Sequence, residues 1–139
     1  MFYNASRYDI KGKEYLKTQG KYYMADTGLR NFFLGFRGSD RGHLIENIVY
    51  MELLHRGYNI SIGKIDSKEV DFIATKFNEK LYVQVSDTLR EDSVRLREFA
   101  SLKAINDNFE KIILTLDNIF VGTNDDGIKV INLIEWLIS

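Results

Sequence analysis

The stretch RGHLIENIVYMELLHRGYNISIG (residues 41–63), followed by KEVDFIATKFNEKLYVQVS (residues 68–86), decides the fold. Apolar residues cover well over half the circumference of a helix over residues 43–55, which indicates that the helix is buried on more than one side. Gly57 is the expected residue just past its end. YNISIG, KEVDFIATK and KLYVQVS are typical of three strands, the last two joined by a turn at FNE. We therefore expect one helix leading into three short strands.

Three polar residues stand out in these apolar elements. Glu46 lies on the helix, and a buried carboxylate is unfavourable unless it is paired or bound to a metal. The equal alternative is a first-turn glutamate that the helix N-terminus favours. Asp71 lies in the middle of EVDFI, a strand apolar enough to be interior, and Gln84 lies in the next strand.

Period-two alternation predicts which strand residues share a face. It places Val70 on the same face as Phe72, and Asp71 on the opposite one. In the next strand, Gln84 and Ser86 share a face. Asp71 and Gln84 are 13 residues apart across a short turn, so we expect them to be side by side on adjacent strands.

The rest of the chain predicts an α/β order with a mixed central sheet. Asp26-Thr27 can cap a short helix through LRNFFL, and FRGSDRG is expected to be a loop whose arginines either hold phosphates or are solvated. The other expected elements are two or three N-terminal strands, an amphipathic helix in residues 88–105, a doubly covered parallel strand in NFEKIILTLD, a loop in NIFVGTNDDG, an edge strand in GIKVINL and a short helix in IEWLIS.

Aromatic and basic residues raise the question of nucleic-acid binding. Tyrosines of the N-terminal segment could stack on bases, but a role as ordinary strand residues is favoured: Tyr3, Tyr8, Tyr15, Tyr22 and Tyr23. The second helix carries basic residues that acidic ones interrupt, which favours a solvated, salt-bridged face over a phosphate-binding one. That face is predicted to include Arg90, Arg95, Arg97, Lys103, Glu91, Asp92 and Glu98.

Composition limits the possible functions. At 139 residues, with 45% apolar and 28% charged residues, the chain fits one ordinary domain. The absence of cysteine excludes thiolate zinc and a cysteine nucleophile, and two histidines disfavour catalytic zinc, whereas Mg²⁺ needs few carboxylates. A net charge of -1 gives no global attraction to nucleic acid. With neither a membrane-length apolar run nor a secretory pattern, we expect a cytoplasmic protein.

The positions of Glu46, Asp71 and Gln84 resemble the restriction-endonuclease-like PD-(D/E)XK fold, whose motif is Asp on one hairpin strand and Glu-x-Lys on the next, preceded by a helical Glu. The resemblance implies a three-layer core in which these residues are catalytic and hold Mg²⁺. Ser86 stands where the motif has lysine, and Lys68 and Lys80 are the candidates to replace it. We expect an inactive or much altered site, because serine cannot replace a cation.

A closer resemblance is to the domain of unknown function at the C-terminus of prokaryotic AAA-family ATPases. Four segments carry it: KYYMADTGLRNFFLG, GHLIENIVYMELLHRGY, EVDFIA and YVQVS. It implies a β-rich segment at residues 1–25 that joins an upstream ATPase module, and a nuclease-like domain at residues 26–139. The chain lacks a P-loop of its own.

The resemblance implies a first function and leaves two alternatives. The first is an accessory domain with a degenerate site that engages nucleic acid or a partner within the ATPase. The second is an active Mg²⁺-dependent DNA nuclease. The third is a structural module that forms a homo-oligomer through the apolar tail INLIEWLI around Trp136.

Overall fold

The computed structural model describes residues 2–24, 41–124 and 126–139. Within them, three helices are α1 (Arg41–His55), α2 (Asp92–Lys103) and α3 (Leu133–Ile138). The strands are β1 (Phe2–Ala5), β2 (Arg7–Asp9), β3 (Glu14–Tyr15), β4 (Lys21–Met24), β5 (Asn59–Ile65), β6 (Lys68–Lys76), β7 (Glu79–Ser86), β8 (Glu110–Thr115), β9 (Gly122–Thr123) and β10 (Lys129–Asn132). The helix predicted through LRNFFL, and residues 36–40 of the predicted loop, lie outside the described residues. None of the described helices is long and apolar enough to cross a membrane.

The main sheet has eight strands in the order β3-β2-β5-β6-β7-β8-β10-β9. Strands β5, β6 and β7 are antiparallel, whereas β8 runs parallel to both β7 and β10. The predictions of an α/β chain with a mixed sheet and of a parallel strand at β8 are confirmed. The prediction that β10 lies at the edge is wrong, because the two-residue strand β9 pairs with it.

The N-terminal strands belong to the same body as the rest of the chain. Strands β1 and β4 form a separate antiparallel pair, and β2 joins the main sheet beside β5. Ala5 on β1 and Tyr23 on β4 are buried in the core under α1. The Tyr23 ring stacks on Tyr50 of α1, with 4.1 Å between ring centroids.

Apolar cores lie on both faces of the sheet, so the architecture has three layers. On one face α1 and α3 cover the sheet, and Leu53, Phe72 and Trp136 are buried there. On the other face α2 covers the sheet, and Leu102 packs with Ile73. Trp136, on the predicted short helix α3, is buried at 8% exposure.

Strict alternation fails in β6 at Val70. The register pairs Val70 with Gly63 and Ile73 with Ser61, so β6 carries one extra residue there, a β-bulge. Val70 therefore packs with Ile73 on the α2 face, and the prediction that it shares a face with Phe72 is wrong. A Cβ on Gly63 would lie 2.9 Å from the Val70 Cβ, so only glycine lets the strands approach here. The bulge sits directly at Asp71.

The ends of α1 show how local sequence places the helix. It begins at Arg41, two residues before the predicted start and inside the predicted loop. It ends as predicted at His55, and Gly57, just past its end, has φ +89. The Gly57 N–H donates to the Leu54 carbonyl at 2.9 Å and the Tyr58 N–H to the Leu53 carbonyl at 3.1 Å. The chain then enters β5 directly, which sets α1 against the centre of the sheet.

Candidate functional site

Asp71 and Gln84 meet where β6 and β7 separate. The backbone register of the two strands runs from Lys76–Glu79 to Phe72–Val83 and stops there. Beyond it, the Asp71 N–H donates to Gln84 Oε1 at 2.7 Å, and the Val85 N–H donates to Asp71 Oδ2 at 2.8 Å. Side chains thus take the place of ladder hydrogen bonds. The structure brings Asp71 and Gln84 together, in the plane of the sheet.

Glu46 is held by the N-terminal strands. Its Oε1 accepts a hydrogen bond from the Tyr23 hydroxyl at 3.2 Å and lies 3.8 Å from Lys21 Nζ. Lys21 also donates to Glu69 of β6, and Arg7 Nη1 donates to the same carboxylate at 2.7 Å. We call Arg7, Lys21, Glu46 and Glu69 the Lys21 cluster. It links β2 and β4 to α1 and β6, so Glu46 is paired rather than isolated.

Lys21 is the cation that the sequence alone did not reveal. Neither proposed replacement for the motif lysine forms an ion pair at this cluster: Lys80 Nζ lies over the Phe109 ring at 5.0 Å, and Lys68 is an exposed residue lining the cavity beside Asp71. Ser86 Oγ donates to the Thr88 carbonyl at 2.8 Å and so shapes the turn after β7. Nothing near Ser86 in the sequence signals a lysine 65 positions upstream.

A cavity of about 530 Å³ lies between α2 and the ends of β6 and β7. Asp71, Gln84 and Glu98 are among its lining residues. Glu98 is 9% exposed, so the prediction that it belongs to the solvated face of α2 is wrong. Leu96, an apolar residue of the same helix, is 66% exposed. Glu98 and Ser101 of α2 thus line this cavity together with Asp71 and Gln84.

Other basic residues of α2 follow the prediction. Arg95 Nη2 lies 2.5 Å from Asp92, and Lys103 Nζ lies 3.4 Å from Asp126. Arg41, at the start of α1, lies 3.3 Å from Asp87. These cations are already paired, which supports a salt-bridged face rather than a phosphate-binding one.

The carboxylates of the site influence one another's protonation. Burial of the carboxyl group, and then the negative charges of Glu46 and Glu98, raise the pKa of Asp71 well above its usual range. The hydrogen bond from the Val85 N–H and the charge of Lys21 lower this pKa, but they do not cancel the rise. Burial likewise raises the pKa of Glu98. Burial would also raise the pKa of Glu69, but hydrogen bonds from Lys21 and Arg7 outweigh it and the pKa is lowered. The buried Asp71 carboxyl group therefore holds its proton to a higher pH than an exposed aspartate does.

The arrangement does not fit a divalent cation as it stands. In residues 2–24, 41–124 and 126–139, no three His, Asp or Glu side chains are close enough to share a metal ion. The Gln84 oxygen already accepts the Asp71 N–H, and Lys21 supplies the positive charge beside Glu46. The ammonium group beside Glu46 already balances that carboxylate's charge, which weakens its attraction for Mg²⁺. A role for Glu46, Asp71 and Gln84 as Mg²⁺ ligands stays a prediction.

Fold and site together define an α/β protein with a mixed sheet, helices on both faces and a polar cluster where two central strands separate. No family model matches the chain, and no solved structure matches it at a significant level. It is similar to a Haemophilus influenzae protein whose name is "Uncharacterized protein", with 46% identity over 139 residues, and to "Uncharacterized protein MJ1544" of Methanocaldococcus jannaschii, with 34% identity over 120 residues. The chain spans 34% of the first relative's length and 25% of the second's.

Proposed function

We propose that this chain is a nuclease-like accessory domain of restriction-endonuclease-like fold, which acts within a longer polypeptide carrying a AAA-family ATPase module and engages nucleic acid or a partner without cutting DNA. The order of one helix followed by three antiparallel strands supports the fold, as does the meeting of Asp71 and Gln84. The relatives are longer than the chain, which leaves room for a further module.

One observation carries the non-cleaving part of the proposal: the polar atoms of the site already bind one another. Gln84 Oε1 accepts from the Asp71 backbone and Asp71 Oδ2 from the Val85 backbone. Lys21 bridges Glu46 and Glu69. These contacts hold the polar atoms of the site against other parts of the chain. Lys21 also balances the charges of Glu46 and Glu69, which weakens their attraction for a metal ion. A cluster with internal partners is the structure expected of a site kept for folding.

A cleavage assay tests this. The chain and its Asp71→Ala variant are incubated with supercoiled plasmid and with single-stranded DNA, in Mg²⁺ and separately in Mn²⁺. We expect no nicking by the chain above that of the variant. Metal-dependent nicking that disappears in Asp71→Ala would instead establish the active nuclease and overturn the proposal.

The structure changes how the dimerisation alternative must be tested. Trp136 packs in its own chain's core, and Arg56 lies over its ring at 4.3 Å. Replacing it by aspartate would destabilise the fold of the chain, so a lost dimer would not report on a contact between chains. Ile138, 80% exposed on the same helix, is the better probe. A dimer in light scattering that Ile138→Asp dissociates would favour this alternative.

A further inference from the structure

The tyrosines of the N-terminal segment divide into two groups. Tyr23 is buried in the core, as the structural interpretation predicts. Tyr8 and Tyr15 instead meet edge to face on β2 and β3, with 5.1 Å between ring centroids, and Tyr15 is 67% exposed. These two rings are on the opposite side of the sheet from α1, because Tyr8 packs against the α2-side core. Tyr8 and Tyr15 therefore line cavities beside the sheet.

The space beside these rings consists of two adjoining cavities of about 440 and 290 Å³. Both are lined by Tyr8 and Lys80, and we call them together the Tyr8 groove. Tyr15 borders the smaller cavity, and Phe109, 42% exposed, borders the larger one. Aromatic rings thus line both parts of the groove. A groove of this size and lining suits flat organic groups.

The groove is positively charged although the chain as a whole is not. Lys11, Lys13 and Lys80 line it. Lys11 is paired with Asp66 at 2.9 Å. Within the described part of the chain, Lys13 and Lys80 have no acidic partner, and Lys80 Nζ contacts the Phe109 ring instead.

The acid in the described lining of the groove does not offset these cations. Asp107 accepts a hydrogen bond from the Tyr82 hydroxyl at 2.6 Å and one from Lys111 Nζ at 2.9 Å. Its charge is therefore balanced by Lys111 within the wall of the groove. Lys13 and Lys80 are left as two unbalanced cations among aromatic rings, in a chain of net charge -1.

Unbalanced ammonium groups beside exposed rings attract a ligand that carries both phosphates and planar bases. Bases stack on aromatic side chains with about 1–3 kcal/mol each, and lysines follow the phosphate backbone. Two adjoining cavities that share Tyr8 suit successive units of a strand rather than a single nucleotide. A duplex hides its base faces. We infer that the Tyr8 groove binds single-stranded nucleic acid, with bases on Tyr8, Tyr15 and Phe109 and phosphates on Lys13 and Lys80.

The groove and the polar site lie along one strand. The side chains of Lys80, Tyr82 and Gln84 point to the same face of β7, because every second residue of a strand does so. Four residues along the strand separate the Cα atoms of Lys80 and Gln84 by about 13 Å. The groove thus ends about 13 Å from the polar site along β7, with the buried Tyr82 between them. This inference names the nucleic acid that the proposed function leaves open, and it depends on that function only for the expectation that the strand stays intact.

Fluorescence anisotropy with a labelled oligothymidylate, in EDTA and at low salt, tests the inference. Tyr15→Ala should weaken binding about tenfold, since it removes one stacking ring. Lys13→Ala/Lys80→Ala should also weaken it and lower the slope of log affinity against log salt by about 1.4, because each single-strand phosphate contact contributes about 0.7. Arg90→Ala/Lys129→Ala removes the same charge outside the groove and should leave the slope unchanged. Circular dichroism checks that each variant folds.

The inference would be overturned if all these variants bound the oligothymidylate as tightly as the original chain does. It would also be overturned if the original chain did not bind. A further contrary result would be duplex DNA or a free nucleotide that competes with the labelled oligothymidylate as strongly as the unlabelled one does. EDTA prevents metal-dependent cleavage, so a failure here is separate from a failure of the non-cleaving proposal, which the plasmid assay detects.

Discussion

Replacing Lys21 by methionine tests whether the Lys21 cluster holds the N-terminal strands to the core. The change keeps the length of the side chain but leaves Glu46 with the Tyr23 hydroxyl and Glu69 with Arg7. The side chains of Lys21 and Glu69 are 33% and 38% exposed. Exposed pairs contribute about 0.2–1 kcal/mol, whereas breaking a fully buried pair costs about 3–5 kcal/mol. Because this pair is intermediate and Arg7 remains, we expect a loss of about 2 kcal/mol.

Urea denaturation measures this loss. With a slope of about 1–3 kcal/mol per molar urea, the midpoint should fall by about 1 M. Lys11→Met is the matched control, because it removes the Lys11–Asp66 pair, whose side chains are 60% and 51% exposed and screened by water. It should have a much smaller effect. Equal losses in the two variants, or additive losses when Lys21→Met is combined with Glu69→Gln, would refute the reasoning.

Four further substitutions test the core and the site. Phe72→Ala should lower the free energy of unfolding by about 3–5 kcal/mol in a urea titration, because Phe72 is fully buried. Phe77→Ala, at a residue 99% exposed, should change it by less than about 0.5 kcal/mol; similar losses would contradict the assigned core. Gln84→Ala should lower it by about 1–3 kcal/mol, since the Asp71 N–H loses its acceptor, and an unchanged midpoint would show that this bond is not needed. Finally, burial and neighbouring charges raise the pKa of Asp71, so the folded chain binds more protons than the unfolded one, and this contribution to stability falls as pH rises from about 4 toward the raised pKa. Asp71→Asn should remove that part of the slope in titrations at several pH values; a slope that does not change would count against a raised pKa.

Elements with a strong local signal were predicted well from the sequence. The helix that ends at His55, before Gly57, and the three strands that follow lie within a residue or two of their predicted bounds. In these elements the spacing of apolar residues and the turn residues favour the same structure as the tertiary contacts do, so local preference and packing do not conflict. The meeting of Asp71 and Gln84 followed from the short turn between their strands, since pairing across a short turn leaves few alternative registers.

Predictions that depended on a single periodicity were less accurate. Val70 is on the other face of the sheet because the bulge at Asp71 adds one residue to β6. Glu98 is buried because α2 packs it against the ends of β6 and β7, beside Asp71 and Gln84, which helix periodicity cannot anticipate. The periodicity of a strand or helix describes one element at a time. The positions of Val70 and Glu98 depend instead on how that element packs against its neighbours.

By itself, the sequence determined the class of fold, the central helix with its three strands, and the nearness of Asp71 to Gln84. Those features come from contacts between residues close together in the chain. Only the tertiary structure decided that Lys21 provides the cation beside Glu46, and that Tyr8 and Lys80 share a groove. Lys21 and Glu46 are 25 positions apart and Tyr8 and Lys80 are 72 apart. No local preference encodes such pairs, because they form only once β2 and β4 have docked against the helix and sheet that the rest of the chain builds.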